Sequence, residues 1–149
     1  MEKEKSVNIR IQSIEETSVN NNCGGKNLSG LSGNTLVFQF KDNAEISLIK
    51  KTISVTVAIK YRFENMDLFQ AECVVCFLVD NLEDILTYNK SNNAITFSFD
   101  VIPTLVNASF GTLRGIVYKE TKNGPLEKYP IPLIPMKVLV EKCAVSMVD

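Results

Sequence analysis

The sequence contains no histidine. That absence removes Ser–His and Cys–His catalysis, histidine-bearing zinc sites and a histidine pH switch. Carboxylates, lysine and cysteine are left as possible catalysts, without the side chain that titrates nearest neutral pH. An excess of one charge is missing as well: sixteen Lys and Arg stand against seventeen Asp and Glu in 149 residues. No large basic block is present, so a nucleic acid is disfavoured as the main partner. No run reaches the ~20 apolar residues of a membrane span, and membrane insertion is not expected. The charged start Met1-Glu-Lys-Glu-Lys5 lacks the apolar core of a signal peptide. These absences imply a soluble, cytoplasmic protein. Its length suits one domain over 1–149, able to bury roughly 68–70% of its unfolded surface.

Cysteine is sparse: Cys23, Cys73, Cys76 and Cys143. Cys73-Val-Val-Cys76 matches C-x-x-C in form. It lies inside the apolar run Phe69–Val79, which reads as a strand, and positions three apart on a strand point to opposite faces. A redox pair would open a helix, and zinc would need two further ligands, so these are read as core residues. Gly24-Gly-Lys26 fails as a phosphate loop, since the earlier glycine is missing and Asn27 stands where Ser or Thr is required. No metal or cofactor is expected. Asn27-Leu-Ser, Asn89-Lys-Ser and Asn107-Ala-Ser are chance glycosylation triplets without a secretion signal.

What is present is contact surface. Val7–Ile11 alternates as a first strand, Asn20–Asn34 reads as a flexible Asn/Gly/Ser loop, and Leu36–Phe40 is a second strand, with Leu36, Phe38 and Phe40 on one face. Ala44–Lys50 either extends it or forms a short strand of its own. Thr52–Glu64 alternates throughout, a half-buried antiparallel strand. After a turn at Glu64–Asp67 the chain returns as a strand carrying Phe69, Ala71, Cys73, Val75, Phe77 and Val79 on one face. Asp80–Asn92 is a polar connection with a helical turn near Leu82–Leu86.

From Asn93 to Glu120 the spacing predicts one long helix. Ile95, Phe99, Ile102, Val106, Ser109, Leu113 and Ile116 recur at steps of four and three. Pro103 falls inside this range and predicts a kink or restart. A second stripe, Ala108, Gly111, Thr112 and Gly115, is small, which lets another helix approach closely. Packing on the domain's own sheet explains the first stripe and leaves the second unexplained, so Ala108, Gly111 and Gly115 are read as an oligomer interface. Asn123-Gly-Pro125 is a turn. Tyr129-Pro-Ile-Pro-Leu-Ile-Pro135 cannot be regular helix or central strand and should run extended over the surface. It is either a loop covering the core or a stiff wall presenting Tyr129, Ile131, Leu133 and Ile134 beside an apolar groove. Proline-spaced apolar residues are also read by aromatic grooves on partner domains. Met136–Val145 is a short helix or a last strand. The fold class is α+β: an antiparallel four-stranded sheet, a long kinked helix packed on one side, and a short C-terminal element.

This order of elements resembles the SecB chaperone family. Phe69-x-x-Glu72 is similar to the family's fourth-strand region, Val101-Ile-Pro103 to its apolar-Pro helix signature, and Tyr129–Pro135 to its proline-rich stretch. The resemblance implies a homotetramer, a dimer of dimers, that holds unfolded protein clients in long apolar grooves without nucleotide or metal. It implies Phe38 and Phe40, with Tyr129, Leu133 and Ile134, as groove residues, and the Ala108/Gly111/Gly115 seam as a subunit contact. It implies Glu72 as a contact for the SecA translocase. Two departures weaken the SecA handoff and make another client, such as an antitoxin, as plausible: the short end Glu141–Asp149, and Thr104-Leu-Val-Asn107 in place of the family's aromatic-Arg-Glu run. Against this binding role stands a different class, an α+β enzyme or small-molecule binder with a closed pocket under the helix.

Overall fold

The computed structural model describes residues 8–149. At its centre lie the two strands with the cleanest alternation, β3 (Thr52–Phe63) and β4 (Met66–Val79). Ile53, Val55, Val57, Ile59, Tyr61 and Phe63 are buried on one face, beside Phe69, Ala71, Cys73, Val75, Phe77 and Val79 of β4. The strands are joined by only Glu64 and Asn65, both left-handed at φ 49° and 63°. This is the primed-turn backbone that matches strand twist. β2 (Val37–Ser47) lies antiparallel to β3, and β1 (Ile9–Asn21) antiparallel to β4. Val7, where the first strand was expected to begin, lies outside the described residues. β1 continues to Asn21, past the expected end at Ile11, because pairing with β4 holds its polar residues in place, with register shifts at Ile11/Ser13 and Glu16/Ser18.

The four-stranded antiparallel expectation is corrected by β7 (Ala144–Met147), which adds parallel to β2. The sheet has five strands in the order β1-β4-β3-β2-β7 and is mixed. Val145 stands opposite Ala44 and Met147 opposite Ile46. Four alternating residues are too few to reveal a strand whose partner lies a hundred positions away.

A short helix α1 (Leu82–Ile85) follows the hairpin, then β5 (Leu86–Asn89) and β6 (Ala94–Phe97), which pair with each other. The long helix α2 covers Val101–Thr121, so the expected start at Asn93 is wrong. Ile95 and Phe99 fit a helical step, but Ile95 and Phe97 also fit a strand step. The Asn-rich turn decides between them: Asn89 Oδ1 accepts from the Ser91 amide at 3.0 Å and Asn92 Oδ1 from the Ala94 amide at 3.0 Å. The later start also removes the kink. Pro103 is the third helical residue, where a backbone N–H has no partner within the helix, so proline costs nothing there.

α2 lays Leu105, Val106, Phe110, Leu113 and Val117 on the buried faces of β3 and β4, and this layer is the core. Two hydroxyls inside it are satisfied by their own helix: Ser109 donates to the Leu105 carbonyl and Thr121 to that of Val117, each at 2.7 Å. Asn123, left-handed at φ 64°, closes the helix end. Residues 129–135 are neither helix nor strand, as expected, and Met136–Val145 proves to hold both alternatives, α3 (Met136–Lys142) and then the start of β7. Among the described residues no helix is long and apolar enough to cross a membrane.

Candidate functional site

Phe38 and Phe40 lie on the helix-bearing side of β2, opposite the buried Tyr61 and Ile59 of β3. Both phenylalanines are only half-buried. Phe38 meets Tyr61 edge to face, centroids 4.6 Å apart, and Tyr61 meets Phe69 at 5.7 Å. The Tyr61 hydroxyl donates to the Tyr129 carbonyl at 2.8 Å. Burial pushes the ionisation of that hydroxyl well above its usual value, so it stays a donor. One buried tyrosine thus ties the start of the proline-rich segment to the aromatic end of β2. Tyr129 in turn donates from its own hydroxyl to the Leu31 carbonyl at 3.4 Å. Phe40 meets Phe110 of α2 at 6.0 Å, and the Lys142 ammonium sits 4.9 Å from the Phe40 ring centre, a cation–π contact.

Beyond Tyr129 the segment stays pinned. Ile131 is buried, and the Pro132 carbonyl accepts from Arg114 Nη2 at 3.4 Å. Between these anchors and α3, Leu133 is 90% exposed, while Ile134 is half-buried. The structure therefore joins Phe38 and Tyr129 through Tyr61 and sets Phe40 against α2. Leu133 and Ile134 do not line the open depression of about 470 Å³ that Phe38 and Phe40 share with Lys41, Lys60, Glu72 and Lys142. Its floor is Ala58, whose small side chain lies between Lys41 and Glu72 in one row across β2, β3 and β4. Glu72 stands on the face away from α2, accepts from the Thr17 hydroxyl at 2.7 Å, and has lysines rather than other acids around the depression.

Asp42 is a residue that sequence reasoning passed over. It continues the inward phase of Phe38 and Phe40, is 6% exposed, and neither carboxylate oxygen has a hydrogen-bond partner among the described residues. Burial raises its pKa to about 6, with Lys142 opposing the rise. A carboxyl that holds its proton more tightly folded than unfolded stabilises the fold fully below pH ~4, and that contribution is lost as pH rises through about 6. Asp42→Asn should accordingly raise the thermal midpoint at pH 7 and change it little at pH 4. Equal midpoints for both chains at pH 7 would contradict the burial of a charge there.

The small stripe of α2 faces away from the sheet. Ala108, Gly111 and Gly115 are exposed, and a Cβ built on either glycine meets nothing within 4 Å. On the same side of the sheet β1 leaves Ile11 and Ile14 uncovered, 53% and 51% exposed, opposite the buried Phe77 and Val75. Ile11 ends the expected first strand, and the register shift at Ile11/Ser13 breaks the spacing that would have carried the pattern on to Ile14.

Cys73 is buried and Cys76 half-buried on the opposite face, and all four cysteines are free. Burial first, then Glu16 and Glu72, pushes the Cys73 thiol up to about 11, far from a reactive thiolate. Among the described residues no group of three or more Cys, Asp or Glu is placed to hold a metal ion. Replacing Cys73 and Cys76 with alanine should change stability by about 1–3 kcal/mol through packing and leave the fold intact. Stoichiometric zinc in protein purified without added metal would contradict this.

No family model and no curated protein matches this chain. Among solved structures, the Mycobacterium tuberculosis SecB-like chaperone in complex with a ChAD peptide from an antitoxin is similar to it. The identity is 15%, the TM-score 0.48, and the match covers 85% of this chain and 90% of that one.

Proposed function

We propose that this chain, acting as one SecB-like unit over 1–149, is a chaperone that holds extended segments of unfolded protein on an oligomer. The observation that carries the proposal is Leu133, nine-tenths exposed on a segment fixed at Tyr129, Ile131 and Pro132. An apolar side chain left in water on rigid backbone incurs little ordering entropy when a partner covers it. Tyr129, Ile134, Phe38 and Phe40 supply further half-buried apolar surface, with Phe38 joined to Tyr129 through Tyr61, and together these five are the proposed client-binding residues. Many such weak subsites on one oligomer would give avidity for long, unfolded chains.

The oligomer in this reading is a homotetramer in the cytoplasm, built through Ala108, Gly111 and Gly115 of α2 and extended by Ile11 and Ile14. Exposed small residues on a helix, with uncovered isoleucines on the same side of the sheet, are the kind of surface that closed assemblies bury. The client is either an exported protein, with Glu72 as a SecA contact, or an antitoxin. The lysines around Glu72 favour the antitoxin-type client, because they break up an acidic docking surface. An enzyme with a closed pocket under the helix is the weaker reading, since the side chains of α2 that face the sheet there, Val106, Phe110 and Leu113, are apolar and fully buried.

Suppression of aggregation tests the proposal. Wild-type protein should keep a chemically denatured test protein in solution at near-stoichiometric ratio without nucleotide. Full aggregation of the test protein at a several-fold excess of chaperone would end it.

A further inference from the structure

We propose that the free edge of β2, residues Val37 to Asp42, takes up an extended client segment as an added β-strand, in line with β7. The inference rests on the client-binding reading above and specifies how the main chain of the client is held.

The two edges of the sheet begin from different strands and are treated differently. β1 carries two register shifts, at Ile11/Ser13 and Glu16/Ser18, which break the repeat that an incoming strand would need. β2 pairs with β3 residue by residue from Val37 to Ser47 with no shift at all. On its other side β7 covers only Asn43 to Ile46, and the Val148 amide extends that cover by donating to the Ile46 carbonyl at 2.9 Å. Among the described residues no strand pairs with that side from Val37 to Asp42, and no proline, bulge or shift interrupts it. A stretch of this length runs about 20 Å. Its outward N–H and C=O groups ask for one chemistry, the backbone of another extended chain.

β7 shows what this edge accepts. It is short, its side chains alternate, and it adds parallel to β2 directly beyond the free stretch. A client strand placed upstream of it would set alternate side chains beside Phe38 and Phe40 on the helix side and beside Gln39 and Lys41 on the other. The preferred segment therefore alternates apolar and polar residues. A second copy of this chain fits less well: α3 ends over this edge, with Lys142 on Phe40, and another domain would bring its own helix layer to the same place.

Amide hydrogen exchange with synthetic peptides is the test. One peptide alternates valine and threonine, and its counterpart carries proline at every third position and cannot add as a strand. With the alternating peptide, outward amides of residues 37–42 should exchange at least about tenfold more slowly, while those of β7 keep their rates. The proline peptide should leave both unchanged. Binding of the alternating peptide, followed by fluorescence anisotropy, with slowed exchange only around residues 129–135, would overturn the strand addition and leave client binding standing. Failure of both peptides and of a denatured protein to bind would remove both proposals. Protection of residues 37–42 that grows with protein concentration in the absence of peptide would assign the edge to a second copy and overturn the inference.

Discussion

Leu133→Ser is expected to fold as the wild type does and to hold unfolded protein about tenfold less tightly at each site. The side chain is 90% exposed, so its loss should change stability by no more than about 0.5 kcal/mol. Covering a leucine on binding contributes roughly 1.5–3 kcal/mol, and 1.4 kcal/mol is a factor of ten in affinity. Phe38→Ser should weaken binding too, but through two routes. Phe38 is packed edge-on against Tyr61, so its removal also loosens the contact that anchors Tyr129. The pair of variants is therefore read together. Circular dichroism, thermal midpoint and aggregation suppression are measured on both, and unchanged suppression by a folded Leu133→Ser chain would remove Leu133 from the proposed client-binding residues.

The second large effect is on assembly. In the isolated chain Gly111→Leu has room, since nothing lies within 4 Å of the new Cβ, and glycine is among the least favourable helix residues. The substitution should stabilise the protomer's helix by up to about 1 kcal/mol. In the oligomer it should force apart two closely approaching helices and lower the mass to that of a dimer or a single chain. Opposite signs for helix stability and assembly separate an interface role from a fold role. A variant with the wild-type mass would place the subunit contact elsewhere.

Much of the fold is legible in the sequence where one period stands alone. Thr52–Phe63 and Phe69–Val79 alternate without a break, and they form the central strands. Ile102, Val106, Ser109, Leu113 and Ile116 mark the buried face of α2. The start of that helix was obscured because Ile95 satisfies two periods, and only the side-chain bonds of Asn89 and Asn92 select the hairpin. Pro103 misled for a related reason: its effect depends on its distance from a helix start that spacing alone does not fix. β7 depends on pairing across the whole chain and leaves little local trace.

The site divides in the same way. Phe38, Phe40 and the proline-spaced residues stand out because aromatic and proline-stiffened positions are rare and distinctive. Tyr61, which links them, reads as one more inward residue of a strand. Asp42 carries a readable signal that is easily missed. Along Phe38, Phe40, Asp42, Ala44 and Ile46 it is the one charged residue on the inward phase. The open edge of β2 has no sequence signature, since it follows from where β7 starts.

The most direct measurement is native mass, by light scattering or mass spectrometry, at tens of micromolar with and without an unfolded, non-aggregating client. The expected result is the mass of four chains alone, rising by the mass of bound client when it is added. The mass of one chain, unchanged by the client, would contradict both the oligomer and the chaperone role.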